Sequence, residues 1–376
     1  MSDNNKHSNL STFSAISLLV STMMGTGITF MPFAFRYMGY IGSWTMLIYV
    51  GFCTFFSLLA ISSVVKEKQD DSCSYASLAK EVSSFESLNE NRETSRKIAA
   101  ILFAPILLYL SLKKQLVQLK FSGWVSFLSV SFLALLTITY SILIGNKAYN
   151  STFNQFNSGY KLAIPFFFPS MVCEPSMISV CRKLNNKSKI NIVFISLMTS
   201  ICGIFIYGLV GHCGYIVFGE CIKSTIIDEL ADMNSTLNIY VRNNTFDKYN
   251  ILSRLSVYSM ICVLVCGFPI SMVPITDMFM TYFSKGRSRN SVILTLFFSC
   301  LILVFIEKLN IKTIKRISGA IFSSSVGLVH PFVFHLDSNL KDKKLRKIFL
   351  IICTLSILII SYIICTNFFD IWNNEL

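Results

Sequence analysis

Leu18-Leu19-Val20-Ser21-Thr22-Met23-Met24-Gly25-Thr26-Gly27-Ile28-Thr29-Phe30-Met31-Pro32-Phe33-Ala34-Phe35 is an apolar, uncharged stretch interrupted by two glycines and a proline. The surrounding segment Leu10–Phe35 is long enough to span a bilayer. Gly25, Gly27 and Pro32 each weaken a continuous helix. Unpaired backbone at membrane depth is tolerated only where it is buried in protein or lines a cavity. The stretch therefore predicts a broken helix with a site at the break.

The rest of the chain supplies the membrane context. Its 376 residues are 53% hydrophobic and 14% charged, a composition that no ordinary soluble domain has. The apolar runs are long and almost free of charge, as membrane spans require. The first run does not read as a cleavable signal sequence. It is too long for an h-region, lacks a small-residue cleavage site, and is followed almost at once by Gly39–Val65. The net charge of +13 does not point to nucleic acid, because the basic residues sit in short loops where they set orientation and meet anionic headgroups. The twelve cysteines are scattered, mostly within apolar runs, where Cys behaves as a small hydrophobe. Cys262 and Cys266 share a helix face but have no histidine or carboxylate beside them, so neither a metal site nor a disulfide framework is read.

Ten segments read as membrane helices: Leu10–Phe35, Gly39–Val65, Ile98–Leu112, Phe121–Ile144, Lys161–Cys181, Ile190–Phe218, Ile251–Phe283, Ser291–Ile306, Ile314–Leu336 and Ile348–Cys365. They make one transmembrane domain over residues 1–376, with residues 1–9 as a cytoplasmic tail and two polar stretches, Lys66–Lys97 and Gly219–Asn250. One set of alternate loops carries Lys113, Lys114, Lys120, Arg182, Lys183, Lys187, Lys189, Lys285, Arg287, Arg289, Lys341, Lys343, Lys344, Arg346 and Lys347. The other set carries Lys147, Lys223, Arg242, Lys248, Lys308, Lys312, Lys315 and Arg316. The richer set is cytoplasmic by the positive-inside rule. Glycosylation triplets at Asn150, Asn234 and Asn243 fall on the other side. The first half conflicts with this. Its tail and its basic loop Lys66–Lys97 should both be cytoplasmic, yet only Ile98–Leu112 separates that loop from cytoplasmic Lys113–Lys120. The parity is wrong by one span.

These stretches resemble the amino acid/auxin permease family, most closely its neutral amino acid transporter branch. Gly25-Thr26-Gly27-Ile28 followed by Pro32-Phe33-Ala34-Phe35 is similar to the family's glycine-rich first helix. Ser74-Tyr75-Ala76-Ser77-Leu78-Ala79 resembles its cytoplasmic segment after the second helix, and Ile106–Leu112 with Lys113 its short fourth helix. Phe168–Leu184, with Val172-Cys173-Glu174-Pro175 and Arg182-Lys183-Leu184, looks like the broken sixth helix. Arg254-Leu255 with Phe268-Pro269-Ile270 is similar to the eighth, and Ser318-Gly319-Ala320 with His330-Pro331 to the tenth.

The resemblance implies an all-α polytopic protein of eleven helices in the LeuT-type arrangement. Two five-helix repeats are inverted in the membrane, with helices 1 and 6 broken. It implies amino acid transport by alternating access. The chain departs from the pattern between Ser74–Ala79 and Ile98, where the third helix should lie and only polar residues occur. A five-span repeat inverts its successor and a four-span repeat does not, so loop charge and family pattern both indicate an absent helix 3. An incomplete chain or a lineage that lost the helix would each produce it.

In a broken helix, free N–H groups favour a carboxylate and exposed carbonyls favour a cation. A free amino acid offers both groups. Met24, Gly25, Thr26 and Gly27 are therefore the candidates for holding the substrate backbone, with hydroxyls from Ser21 and Thr22. The competing reading is that the glycines only let helices pack closely. Phe168 and Phe30 are candidate pocket walls, and Cys173 and Ser176, flanking Glu174, complete the substrate-binding set. An ionisable group inside a span is costly and a functional candidate by default, so Glu174 is the candidate coupling-proton carrier or ammonium partner. The alternative pairs it with Arg182 or Lys183 near the cytoplasmic end. The resemblance to sodium-coupled members places Ser21 and Cys262 where they hold their ion, with Ser259 and Ser256 as substitutes, but a thiol suits a hard cation poorly. His212, His330 and His335 are expected to bond neighbouring helices, and Asp277 to face water.

The function expected is secondary active transport of small neutral amino acids, coupled to protons or sodium. The alternatives are a non-transporting membrane sensor or receptor on the same fold, or an inactive incomplete chain. A membrane enzyme would need a cluster of His, Asp or Cys near one membrane face, and none is read. The partners expected are an amino acid and the bilayer, around a monomer, with no cofactor beyond the co-transported ion. No targeting motif separates the plasma membrane from a vacuolar or lysosomal one.

Overall fold

The computed structural model describes residues 10–67, 104–105, 107–112, 120–145, 154–222, 225–231, 235, 237, 239–240, 247–283 and 288–304, together with single positions between 327 and 358. Helices begin where caps allow and run where the sequence is apolar all round, the pattern of segments buried on every side by lipid or protein. Ser11 caps α1 (Thr12–Met23) by accepting the Ser14 N–H. A short 3₁₀ turn, Thr26–Phe30, leads into α2 (Met31–Met38), whose proline lies in the first turn, where no intrahelical N–H is lost. Gly39 turns the chain at φ +76° into α3 (Tyr40–Glu67), and a Cβ there would also strike the Gln155 carbonyl.

Further on come α4 (Lys120–Leu143), α5 (Tyr160–Ser170) and α6 (Glu174–Lys183). Ser188 caps α7 (Lys189–Phe218) through the Asn191 N–H. Then follow α8 (Ile226–Ala231), α9 (Asp247–Phe283) and α10 (Arg289–Val304). The core is apolar and centred on α1 to α3 and α5 to α7; Leu19, Met24, Phe35, Phe167 and Tyr207 have no exposed surface. α7 packs against α1, α2, α3 and α4, and α9 lies along α4.

Five helical stretches are long and apolar enough to cross a membrane: Tyr40–Ser63, Phe121–Leu143, Tyr160–Lys183, Lys189–Cys221 and Arg254–Val273. A sixth is the bent pair Thr12–Met23 and Gly27–Met38, at 53° to one another. The chain is thus an all-helical, multi-pass integral membrane protein among its described residues. Six of the ten expected spans fall on these stretches; the one expected over Ile251–Phe283 lies in α9, of which Arg254–Val273 is the part apolar enough to cross. Ser291–Ile306 falls on α10, a helix of 16 residues that is not among these stretches, and residues 104–105 and 107–111 of Ile98–Leu112 are helical. The spans Ile314–Leu336 and Ile348–Cys365, most of Lys66–Lys97 and the tail 1–9 lie outside the described residues. The polar stretch Gly219–Asn250 contains the helical turn α8 and the start of α9, more helix than its composition suggests.

Two loop contacts tie the elements together at opposite ends. Leu10 bridges to Leu184, with its N–H on the Lys183 carbonyl at 2.7 Å and its carbonyl accepting the Asn185 N–H at 3.0 Å. At the other end, the Arg36 Nε–H donates to Glu220 at 3.2 Å, and another Arg36 N–H donates to the Ile222 carbonyl at 2.7 Å.

Candidate functional site

The first interruption is short. α1 stops at Met23, and Gly25 adopts φ −97°, ψ −148°, which breaks the helical ladder before the 3₁₀ turn starts. Helix termini leave backbone groups without intrahelical partners. The carbonyl of Met23 is taken up twice, by the Gly25 N–H at 3.0 Å and by the buried Tyr207 hydroxyl of α7 at 2.7 Å. No side chain caps the start of the 3₁₀ turn, so the N–H groups of Thr26 and Gly27 head an uncapped helical end.

The second interruption lies between α5 and α6, at Met171-Val172-Cys173. Pro169 removes the N–H that would bond the Pro165 carbonyl, which loosens the last turn of α5. α6 restarts on Glu174-Pro175, just as α2 restarts on Met31-Pro32. Each resumed helix therefore has a proline in its first turn.

The two interruptions meet. A Cβ on Gly27 would lie 2.6 Å from the Ser170 hydroxyl and 3.1 Å from its Cα, so only glycine permits this approach. Gly203 of α7 admits both flanking methionines: a Cβ there would lie 2.6 Å from the Met23 sulfur and 2.7 Å from the Met171 methyl. Phe30 stacks on Phe166 at 5.4 Å, and Phe33 meets the same ring edge-on at 5.5 Å. Gly25 differs from Gly27, because nothing lies within 4 Å of where its Cβ would be. One glycine is there for contact and the other borders open space.

Glu174 is 1% exposed. Its Oε2 accepts the Cys173 N–H at 2.9 Å, so it covers the start of its own helix. From α3, the Ser57 hydroxyl donates to the carbonyl of Gly327, which packs beside the Glu174 carboxyl, and the Thr54 hydroxyl donates to the Met171 carbonyl at 3.4 Å. Glu174 forms no ion pair with Arg182 or Lys183 among the described residues.

The remaining candidates divide. Met24, Phe168, Cys173 and Ser176 are buried at the two breaks. Ser21 is buried, and its hydroxyl has no hydrogen-bond partner among the described residues. The Thr22 hydroxyl is engaged with its own helix at the Leu19 carbonyl. Ser259 donates to the Ser256 carbonyl, Ser256 is buried, and Cys262 is exposed. His212 packs against Phe35, Tyr40 and Trp44 at centroid distances of 6.2 to 6.4 Å. The side chains of Thr26 and Asp277, and His330 and His335 altogether, lie outside the described residues. No group of three His, Cys, Asp or Glu side chains suited to a metal ion occurs among the described residues.

Sequence reasoning did not single out Thr54, Ser57, Tyr207 or Ser170. Each sits in an apolar run, and only the fold shows its hydroxyl at a break or beside Glu174.

A search of curated proteins finds no match. A family model described as transmembrane amino acid transporter protein matches residues 8–84 and 82–369, nearly the whole chain. With two interrupted helices meeting inside an apolar bundle, this match places the chain in the transmembrane amino acid transporter family.

Proposed function

We propose that the protein is a secondary active transporter of small neutral amino acids, driven by protons and working by alternating access in a LeuT-type inverted repeat. The observation that carries this reading is the meeting of the two breaks at Gly27 and Ser170, with open space at Gly25 beside the uncapped N–H groups of Thr26 and Gly27. A helix start with free N–H groups attracts a carboxylate. The other start, at α6, already carries the Glu174 carboxyl, so the substrate carboxylate belongs at Thr26 and Gly27. Met24, Phe30 and Phe168 are buried apolar residues at the breaks, which supports a small apolar side chain on the substrate.

Protons are favoured over sodium by the side chains available. Glu174 is a buried carboxyl that can take up and release a proton. Of the sodium candidates, Cys262 faces outward and the Ser259 hydroxyl is engaged within its own helix. In liposomes containing the purified protein, uptake of radiolabelled alanine, serine and glutamine is expected to follow an imposed pH gradient and to ignore sodium. Glu174→Gln is expected to flatten the pH dependence. Sodium-driven uptake with an unchanged pH profile in Glu174→Gln would refute the proton reading.

A further inference from the structure

In an uninterrupted helix the Met23 carbonyl would accept the Gly27 N–H, four residues further on. In this protein it receives the Tyr207 hydroxyl at 2.7 Å and the Gly25 N–H at 3.0 Å instead. A carbonyl oxygen has two lone pairs, and both are thereby used. The Gly27 N–H has no acceptor among the described residues.

α7 brings Tyr207 to this place. Gly203, one turn earlier, lets Met23 and Met171 approach the α7 backbone, and Tyr207 follows on the same face. Tyr207 has no exposed surface, so its hydroxyl depends on Met23 for a partner.

The second break differs in its chemistry. There the released carbonyl is that of Met171, whose partner in a continuous helix would be residue 175. Residue 175 is a proline without an N–H, so that break stays open by itself, and Thr54 only satisfies the carbonyl. Position 27 has no such safeguard. Glycine has an N–H that can close the ladder unless another donor holds the carbonyl.

We propose that Tyr207 is a positioning residue for substrate binding: by occupying the Met23 carbonyl it stops Gly27 from closing the helix and keeps the Gly27 N–H free for the substrate carboxylate. It rests on the reading of the first break as the carboxylate site. When the hydroxyl is removed, the Gly27 N–H takes its place on Met23. The carbonyl stays bonded, and the substrate loses a donor.

Tyr207→Phe keeps the ring and removes the hydroxyl. In the purified protein in lipid nanodiscs, amide hydrogen exchange over Met24–Ile28 without substrate is expected to slow about tenfold in this variant, as a free N–H becomes a bonded one. A hydroxyl that merely held α7 to α1 would give the opposite result, faster exchange at the same amides. The variant is expected to melt within a few degrees of the native protein; failure to fold would overturn the proposal, because the Met23 carbonyl would have found no substitute donor.

Binding of alanine and of alaninamide, which lacks the carboxylate, separates this role from the site reading. Tyr207→Phe is expected to weaken alanine by about tenfold to a hundredfold, the range for one hydrogen bond to a charged group, and to leave alaninamide unchanged. Unchanged or faster exchange in Tyr207→Phe would overturn the role of Tyr207, whatever the binding shows. Slower exchange with unchanged alanine binding would overturn the placement of the carboxylate on Gly27. Equal affinity of the native protein for alanine and alaninamide would overturn the carboxylate reading itself.

Discussion

At the scale of single residues, the two glycines of the first break have different reasons to be glycine. Gly27 is in contact with Ser170, and a methyl group there must displace backbone as well as the hydroxyl. Gly25 has room for a methyl group, which would project into open space. Gly27→Ala is therefore expected to lower thermal stability in detergent by an amount equivalent to about 1–3 kcal/mol, the usual cost of overpacking. Gly25→Ala is expected to leave stability unchanged and to raise the KM for amino acid uptake severalfold. Melting curves and uptake kinetics on the two variants check this; equal melting losses would remove the distinction. The sequence alone did not separate these glycines, because spacing tells where a helix is weak and not what lies opposite the missing side chain.

At the scale of elements, the broken helices were legible and their supports were not. Gly25, Gly27, Pro165, Pro169 and Pro175 punctuate apolar runs, and punctuation is what a sequence displays directly. Thr54 and Ser57 of α3 and Tyr207 of α7 lie in helices with no interruption near them, and their hydroxyls could have been satisfied within their own helices. They became informative only when the fold placed Tyr207 on the Met23 carbonyl and Thr54 on the Met171 carbonyl. Nor did the sequence show that the starts of α1 and the end of α6 are joined, because the Leu10–Leu184 bridge is made by backbone groups. Asn185→Pro removes the N–H that Leu10 accepts and leaves α6 itself intact. Hydrogen exchange in the first turn of α1 is expected to speed up in this variant, while α7 beyond its first turn stays protected. Unchanged exchange at α1 would show that the bridge does not hold that helix.

At the scale of the whole molecule, the bundle is a membrane carrier built around a kinked first span and a second break, not a stack of straight rods. The family match falls into two pieces that meet at residues 82–84, within the polar interval where the third helix is expected. The loop charges of the first half leave the parity wrong by one span. The second half is free of the conflict: two spans, α7 and α9, separate Ser188 from Ser288. Single cysteines at those two positions in a cysteine-free background are expected to react with an impermeant maleimide from the same face, and one at Lys223 from the opposite face. Labelling of Ser188→Cys and Ser288→Cys from opposite faces would contradict the arrangement.

The central claim is that the two breaks together form an amino acid site. A cryo-EM map of the protein in lipid nanodiscs with saturating alanine tests it most directly. The account predicts density beside Gly25, with the carboxylate on the N–H groups of Thr26 and Gly27 and both helices interrupted. Continuous helices through Met24–Gly27 and Met171–Cys173, or alanine bound elsewhere, would contradict it.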